Sequence, residues 1–246
     1  VAMTPVNCVY EMDKVTRVPH LVSNSRAVEI LTEGIHYLKV SYEKRRQVFV
    51  ESKYDVQYFQ RLFNLLDRTY SYKYQPVFLE PHSGSSNCTD VINIVEKLQA
   101  SGNDLAWGII DFDNINASKN KIVVLGEGTR YAIENFILDP LYISLALIRA
   151  HKKKFADFGV TNKNAYTDAI SLTQEECQTI IASFIHHMGL PYENLVESKL
   201  ENGFLVRYPR SFLFCQGHNY ELMLKDKFIE LNAITRGQTG DDALKL

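Results

Sequence analysis

The stretch VFVESKYD at residues 48–55 carries an apolar strand pattern directly into a glutamate, Glu51. A second stretch, WGIIDFD at residues 107–113, is built the same way and finishes in Asp111 and Asp113. The carboxyl ends of parallel strands meet at one edge of a sheet, and ligands bind at that edge. The sequence therefore predicts that Glu51 and Asp111 converge at one edge of a parallel sheet.

Strand and helix patterns alternate around these two stretches. The predicted strands are residues 47–50, 75–79, 105–110 and 121–125. The predicted helices are residues 55–66, a segment capped by Thr89 and ended by Gly102, and residues 134–150 with a break or kink at Pro140. This alternation favours an α/β fold in which helices flank a parallel sheet.

Three parts of the chain are predicted from the change in pattern. Residues 1–45 form an N-terminal extension, residues 46–150 form the α/β domain, and residues 151–246 form a mixed, mainly helical C-terminal extension. In the last part, Thr173 and Glu176 predict a capped helix that reaches His187. Residues 203–208 and 211–215 are predicted strands, residues 220–231 a helix, and residues 236–246 a loose tail.

Composition limits the class of protein. Hydrophobic residues make up 46% of the 246 residues, which is enough for a full core and argues against global disorder. A formal net charge of -2 argues against a surface covered in basic residues, although an acidic site and a basic groove can cancel in that sum. The four cysteines have no metal-type spacing, and no apolar run is as long as a membrane span. We expect a soluble, cytoplasmic protein with no membrane partner.

The carboxylates themselves predict a bound cation. Asp111 and Asp113 are separated by one residue, so an extended chain would point both side chains to the same side. Carboxylates gathered at one edge repel one another, and oxygen-rich sites suit Mg²⁺ or Mn²⁺. The alternative is structural: Asp111 ends its strand, Asp113 forms a turn, and Asp55 is a first-turn charge that favours the helix dipole.

The two stretches, with a third, resemble motifs of a known family. Residues 48–55 resemble the first motif of Toprim domains, a strand with a glutamate and an aspartate four residues later, and residues 108–113 resemble the second, the DxD strand. The segment YAIENFILDP at residues 131–140 is similar to one found in Toprim nucleases of the overcoming-lysogenisation-defect type. One position departs from the pattern: Ser52 stands where Toprim domains usually carry glycine, and serine makes a tight turn less freely.

The resemblance implies Mg²⁺- or Mn²⁺-dependent cleavage of a phosphodiester. Carried over by position, Glu51, Asp111 and Asp113 are catalytic residues and metal ligands, and Glu134 is a further metal ligand. Two alternatives stay open: Glu51 can act as a general base, and Glu134 can be a helix-start glutamate.

Basic residues near these motifs are candidates for binding the substrate. Lys119 is the predicted catalytic cation, and Lys53, Lys121 and Arg130 are the predicted nucleic-acid contacts. The alternative for each is an ordinary solvated charge.

The chain is also similar to stand-alone Toprim subunits that accompany an ABC-type ATPase in bacterial anti-phage defence, of which the PARIS type is an example. That resemblance implies a toxic endonuclease effector of abortive infection, controlled by the ATPase and able to form a homodimer. It favours RNA, with host tRNA as the target, over DNA. The alternative function is a non-catalytic Toprim-like module that docks on the ABC-type ATPase.

Overall fold

The computed structural model describes residues 8–13, 15–22, 45–81 and 86–234. The part of the predicted N-terminal extension at residues 23–44 and the predicted tail at 236–246 lie outside these ranges. The first described elements are two short strands, β1 (Val9–Met12) and β2 (Pro19–Val22), which pair as an antiparallel hairpin within the predicted N-terminal extension.

A four-stranded parallel sheet lies at the centre of the α/β part. Its strands are β3 (Arg45–Phe49), β4 (Gln75–Leu79), β5 (Ala106–Asp111) and β6 (Ile122–Leu125), in the order β4-β3-β5-β6. The predicted strand at 75–79 is confirmed without change, and the other three differ from prediction by one or two residues at their ends. Because all four strands run the same way, their carboxyl ends form one edge of the sheet.

Two helices connect these strands, and both begin with a capping box. Helix α1 (Lys53–Leu66) is capped by Ser52, whose hydroxyl accepts from the Asp55 backbone while the Asp55 carboxylate accepts from the Ser52 backbone. Ser52 has an extended backbone with φ -141°, so the turn does not need the glycine that the family pattern carries. Asp55 therefore has a structural role in the first turn of α1, which is the alternative stated for it.

Helix α2 (Cys88–Ala100) is capped by Asn87 together with Asp90, so the prediction that Thr89 caps it is wrong. Asn87 is the residue whose extended backbone and side-chain oxygen fit the cap, and Thr89 lies inside the first turn. The helix packs closely on β5 at Gly108, where a Cβ would lie 2.9 Å from Val91. This close approach explains a glycine inside a buried strand.

The predicted long helix at 134–150 is two helices, α3 (Glu134–Ile137) and α4 (Pro140–Arg149). Asp139 stands between them and caps α4 by accepting from the Leu141 backbone at 3.0 Å. Pro140 takes the first helical position, where its missing N–H costs nothing. The chain thus breaks before Pro140.

The rest of the described chain is mainly helical, as predicted. Its elements are two 3₁₀ helices (Phe155–Phe158 and Tyr166–Ser171), α5 (Gln174–His187), the antiparallel pair β7 (Leu195–Lys199) and β8 (Leu205–Pro209), α6 (Arg210–Leu213), α7 (Gly217–Lys227) and α8 (Leu231–Ile234). The capping box of Thr173 and Glu176 at the start of α5 is confirmed. The predicted strand at 211–215 is wrong, because α6 occupies most of it.

Hydrophobic packing divides into two clusters. The smaller joins the sheet to α2 through residues such as Phe49, Val95 and Ile110. The larger begins at Leu138 and unites α4 with the later helices and β8. Packing therefore crosses the boundary predicted at residue 150.

Candidate metal centre

Glu51 and Asp111 meet at the carboxyl edge of the sheet. Glu51 follows β3, Asp111 ends the neighbouring strand β5, and the Asp111 backbone N–H donates to Glu51 Oε1 at 2.9 Å. The hydroxyl of Ser86 donates to the Glu51 backbone carbonyl and fixes the turn from the other side. The convergence that the strand ends predicted is present in the fold.

Asp113 reaches the same neighbourhood by a different route from the one predicted. It has left the strand, and both Asp113 and Asn114 adopt left-handed backbone conformations, with φ 50° and 61°. Asp and Asn tolerate this region better than other non-glycine residues. The expectation of an extended Asp111–Asp113 pair is therefore wrong, and the turn that was its alternative is correct.

The segment that leads into α3 closes the site. The Ile133 backbone N–H donates to Asp111 Oδ1 at 3.1 Å, and the Asp113 backbone N–H donates to the Tyr131 carbonyl at 2.9 Å. Glu134, the next residue, is only 4% exposed. Gly217 lies against it so closely that a Cβ there would be 2.2 Å from Glu134 Oε2. The start of α7 thus limits where the Glu134 carboxylate can go.

Asn135 is a supporting residue that sequence reasoning missed. It is fully buried; its side chain accepts from the Ala132 backbone and donates to the carbonyls of Phe212 and Cys215. These bonds tie the Glu134 segment to the C-terminal part of the chain. Its place next to Glu134 in the quoted IEN segment was the available signal.

Burial and mutual repulsion change the acidity of the cluster. Burial, with the nearby charges of Asp113, Asp55 and Glu134, raises the pKa of Glu51 to about 7. Burial and the charge of Glu51 are the largest causes that raise the pKa of Asp111 to about 9. The pKa of Asp113 is also raised, first by burial and then by Glu134. The cluster cannot hold all its negative charges at neutral pH without a compensating cation.

The donor chemistry fits a hard divalent cation, but the side chains are not arranged around one. Within the ranges that the structure describes, no three His, Cys, Asp or Glu side chains are placed so as to hold a metal ion. One oxygen each of Glu51 and Asp111 accepts from a backbone amide, which leaves the other oxygen of each carboxylate. Carboxylate oxygens are the ligands that Mg²⁺ and Mn²⁺ prefer. A cation would bind through these remaining oxygens.

Of the predicted cations, Lys53 alone lies at this edge. It is the exposed first residue of α1, and its Nζ is 4.9 Å from the centre of the Tyr54 ring. Lys121 lies at the other end of the sheet, where it precedes β6 and pairs with Asp104 at 3.5 Å. Lys119 exchanges backbone hydrogen bonds with Ile122 at the same turn.

Arg130 is not a surface residue. Its side chain is 11% exposed and its Nη2 donates to Asp139 Oδ2 at 2.9 Å. The fold therefore brings neither Lys119 and Lys121 nor Arg130 to the carboxylates, and their predicted contacts to a scissile phosphate lack geometric support.

The raised pKa values predict that the metal-free protein loses stability as the pH rises. Glu51 and Asp111 keep their protons in the folded state to about pH 7 and 9 but lose them near pH 4 when unfolded. The folded state thus binds more protons across this window. Below about pH 4 both groups are protonated in the folded and the unfolded state, and they cost no stability. Above that pH, each group lowers the free energy of unfolding by about 1.4 kcal/mol per pH unit until the pH passes the pKa of that group in the folded state. Thermal unfolding in EDTA between pH 5 and pH 9 measures this slope.

Adding Mn²⁺ provides the control. Because the ion binds ionised carboxylates, it should raise the melting temperature more at pH 8.5 than at pH 5. A metal-free melting temperature that stays level or rises from pH 5 to pH 8.5 would contradict the assigned pKa shifts.

Comparison of the sequence with protein-family models and with curated proteins returned no match. Within the described part of the chain, no helix combines the length and apolar character that crossing a bilayer requires.

Proposed function

We propose that this chain is a Toprim-like, metal-dependent endonuclease that cleaves phosphodiester bonds in nucleic acid. The observation that carries the proposal is the meeting of Glu51 and Asp111, from adjacent parallel strands, in an environment that raises the pKa of both. Perturbed carboxyls at the carboxyl edge of a parallel sheet are typical of functional sites.

Four carboxylates would hold the cation: Glu51, Asp111, Asp113 and Glu134. Bound Mg²⁺ or Mn²⁺ would polarise the phosphoryl oxygen and lower the pKa of a coordinated water. The backbone amides of Asp111 and Ile133 orient two of the carboxylates, and Gly217 confines Glu134. With a pKa of about 7, Glu51 is also suited to accept a proton near neutral pH.

The substrate and the biological role are carried by the motif resemblance. We propose RNA, with host tRNA as the target, and keep DNA as the alternative substrate. In this proposal the chain is a cytoplasmic toxic effector of anti-phage defence, able to form a homodimer and controlled by an ABC-type ATPase.

One observation favours a second function. Because no three described side chains already form a metal-holding group, the chain can instead be a non-catalytic module that docks on the ATPase. The two functions differ in whether the purified chain, alone or with its triggered ATPase, cuts nucleic acid.

Replacing Glu51 by glutamine tests the nuclease proposal. We expect Glu51→Gln to lower the rate of RNA or DNA cleavage in Mn²⁺ by about 10²-fold or more, because it removes a ligand or base worth a few kcal/mol in the transition state. If Glu51 is the base, the variant also changes how the rate depends on pH. Cleavage of labelled oligonucleotides over pH 5.5–9 measures both effects.

Glu193→Gln is the matched control, since Glu193 is exposed and lies in no helix or strand. It should cut at the parent rate. A Glu51→Gln variant that cuts as fast as the parent would remove Glu51 from the site. A parent chain that cuts neither RNA nor DNA, with or without the triggered ATPase, would favour the docking module.

A further inference from the structure

A cluster of tyrosines and basic residues lies at the end of the sheet away from the carboxylates. Tyr70, Tyr72 and Tyr74 fall in the segment between α1 and β4 and are 43%, 42% and 36% exposed. Arg46 and Lys73 accompany them. We call these five residues the tyrosine patch.

The rings are held in place although they face solvent. The Tyr72 ring lies 5.6 Å from Phe63 of α1 and 6.2 Å from the Tyr70 ring. The Tyr70 hydroxyl donates to the Glu201 carboxylate in the turn between β7 and β8. Exposed rings that are fixed by their edges and hydroxyls lose little further freedom when another planar group stacks on them.

Cations flank the third ring. The Arg46 guanidinium carbon is 3.7 Å from the Tyr74 ring centroid, and Lys73 Nζ is 5.1 Å from it. A hydrogen bond from Lys73 and the charges of Lys73 and Arg46 lower the pKa of the Tyr74 hydroxyl. In a chain of net charge -2, this is a local positive surface with aromatic faces. An exposed cation–π contact adds little to the stability of a fold, so stability alone does not explain why three tyrosines are exposed here.

Aromatic rings interleaved with cations are suited to single-stranded nucleic acid. Bases in a single strand expose their flat faces, which can stack on tyrosine, while Lys and Arg neutralise the phosphates between them. A duplex keeps its base faces covered, so it cannot use the rings in this way.

We propose that the tyrosine patch binds a single-stranded portion of the nucleic acid that the carboxylate cluster cleaves. This inference rests on the proposed nuclease function. Arg46 is the second residue of β3 and Glu51 follows the strand, so the patch lies about one strand length, roughly 17 Å, from the carboxylates. A strand that stays stacked as in a duplex, at about 3.4 Å per nucleotide, covers that distance with about five nucleotides, and an extended strand needs fewer. The patch anchors the strand and the carboxylates cut it.

Binding without metal tests the patch separately from cleavage. Fluorescence anisotropy in EDTA is measured with a labelled 12-nucleotide single-stranded RNA and with its duplex. Tyr72→Ala and Tyr74→Ala should each weaken single-strand binding about tenfold, because each removes one ring on which a base can stack. Duplex binding should not change. Arg46→Ala should reduce the slope of log affinity against log salt by about 0.7.

Two variants control for side effects. Tyr72→Phe keeps the ring and should bind as the parent does. Tyr192→Ala removes a tyrosine of similar exposure, 39%, at a site with no described cation over the ring, and should also bind normally. Single-strand affinity equal in the parent and in the Tyr72→Ala and Tyr74→Ala variants would overturn the inference, as would an equal loss of duplex binding.

Cleavage then separates the two proposals. In Mn²⁺, the alanine variants should raise KM for the 12-nucleotide substrate about tenfold and leave cleavage of a dinucleotide unchanged, because the shorter substrate cannot reach the patch. Tyrosine-dependent binding in a chain that cuts nothing would overturn the nuclease and leave a binding surface. Cleavage that ignores all the patch variants would overturn the patch and leave the nuclease.

Discussion

Asp111→Asn is expected to abolish metal-dependent cleavage and, in the same molecule, to stabilise the metal-free protein at pH 8. A cation that polarises a phosphoryl oxygen contributes several kcal/mol to the transition state, so losing its central ligand should lower the rate by 10³-fold or more. Asparagine keeps an Oδ1 that can accept from the Ile133 backbone, so the local fold is retained.

The gain in stability follows from the raised pKa of Asp111, about 9. At pH 8 the folded parent must hold a proton that its unfolded chain releases, which costs about 1.4 kcal/mol for each pH unit above the ordinary pKa. Asparagine carries no such cost. Since pH 8 lies about four pH units above the ordinary pKa, the gain is about 5–6 kcal/mol, and we expect the variant to melt about 10–20 °C higher in EDTA at pH 8. The difference should nearly vanish at pH 4.5, and Mn²⁺ should stabilise the parent only.

Asp226→Asn is the matched control, because the Asp226 side chain is 78% exposed on α7. It should change neither the rate nor the melting temperature at pH 8. If Asp111→Asn cuts at the parent rate, Asp111 is not part of a catalytic centre. If Asp111→Asn is less stable than the parent at pH 8, the buried Asp111 carboxyl does not lower the stability of the parent, and the electrostatic argument for a bound cation fails.

Local sequence signals were sufficient where one short segment determines the structure. The strand at 75–79 and the capped start of α5 are set by neighbouring residues and were predictable. The convergence of Glu51 and Asp111 was also predictable, because adjacent parallel strands must end at the same edge. The capping role of Asp55 required only the spacing of Ser52 and Asp55.

The predictions that failed concern residues that lie near the motifs in sequence but not in the fold, because of the path that the chain takes. Lys121 follows the DxD stretch closely, yet the chain must return to the amino end of the sheet before β6 can run parallel to β5. It therefore carries Lys121 away from Asp111. Asp113 could not be placed by alternation, because two left-handed residues replace the extended chain there. The partner of Arg130 was not predicted either, since no local sequence signal pairs it with Asp139.

Arg130 provides the largest expected loss of stability. Its guanidinium donates to Asp139 and to the Asn135 carbonyl, and the rings of Phe136, Tyr208 and Phe212 lie 4.9, 5.0 and 5.5 Å from it. Arg130→Met leaves the buried Asp139 carboxylate without its cation. Removing one partner of a buried ion pair costs about 3–5 kcal/mol, or roughly 6–20 °C in melting temperature.

The double variant Arg130→Met with Asp139→Leu distinguishes a lost ion pair from lost packing. Apolar side chains of similar volume often replace a buried pair with little loss, so the double variant should recover much of the stability lost by Arg130→Met. Some loss should persist, because the Tyr208 hydroxyl and the Leu141 amide both donate to Asp139.

The melting temperature of Arg130→Lys should lie between those of the parent and Arg130→Met, since lysine keeps the charge but not the planar fork. If Arg130 instead contacts nucleic acid, Arg130→Lys would weaken RNA binding in EDTA while leaving the melting temperature unchanged. A buried, paired guanidinium requires the opposite result, a lower melting temperature with unchanged binding by the folded protein.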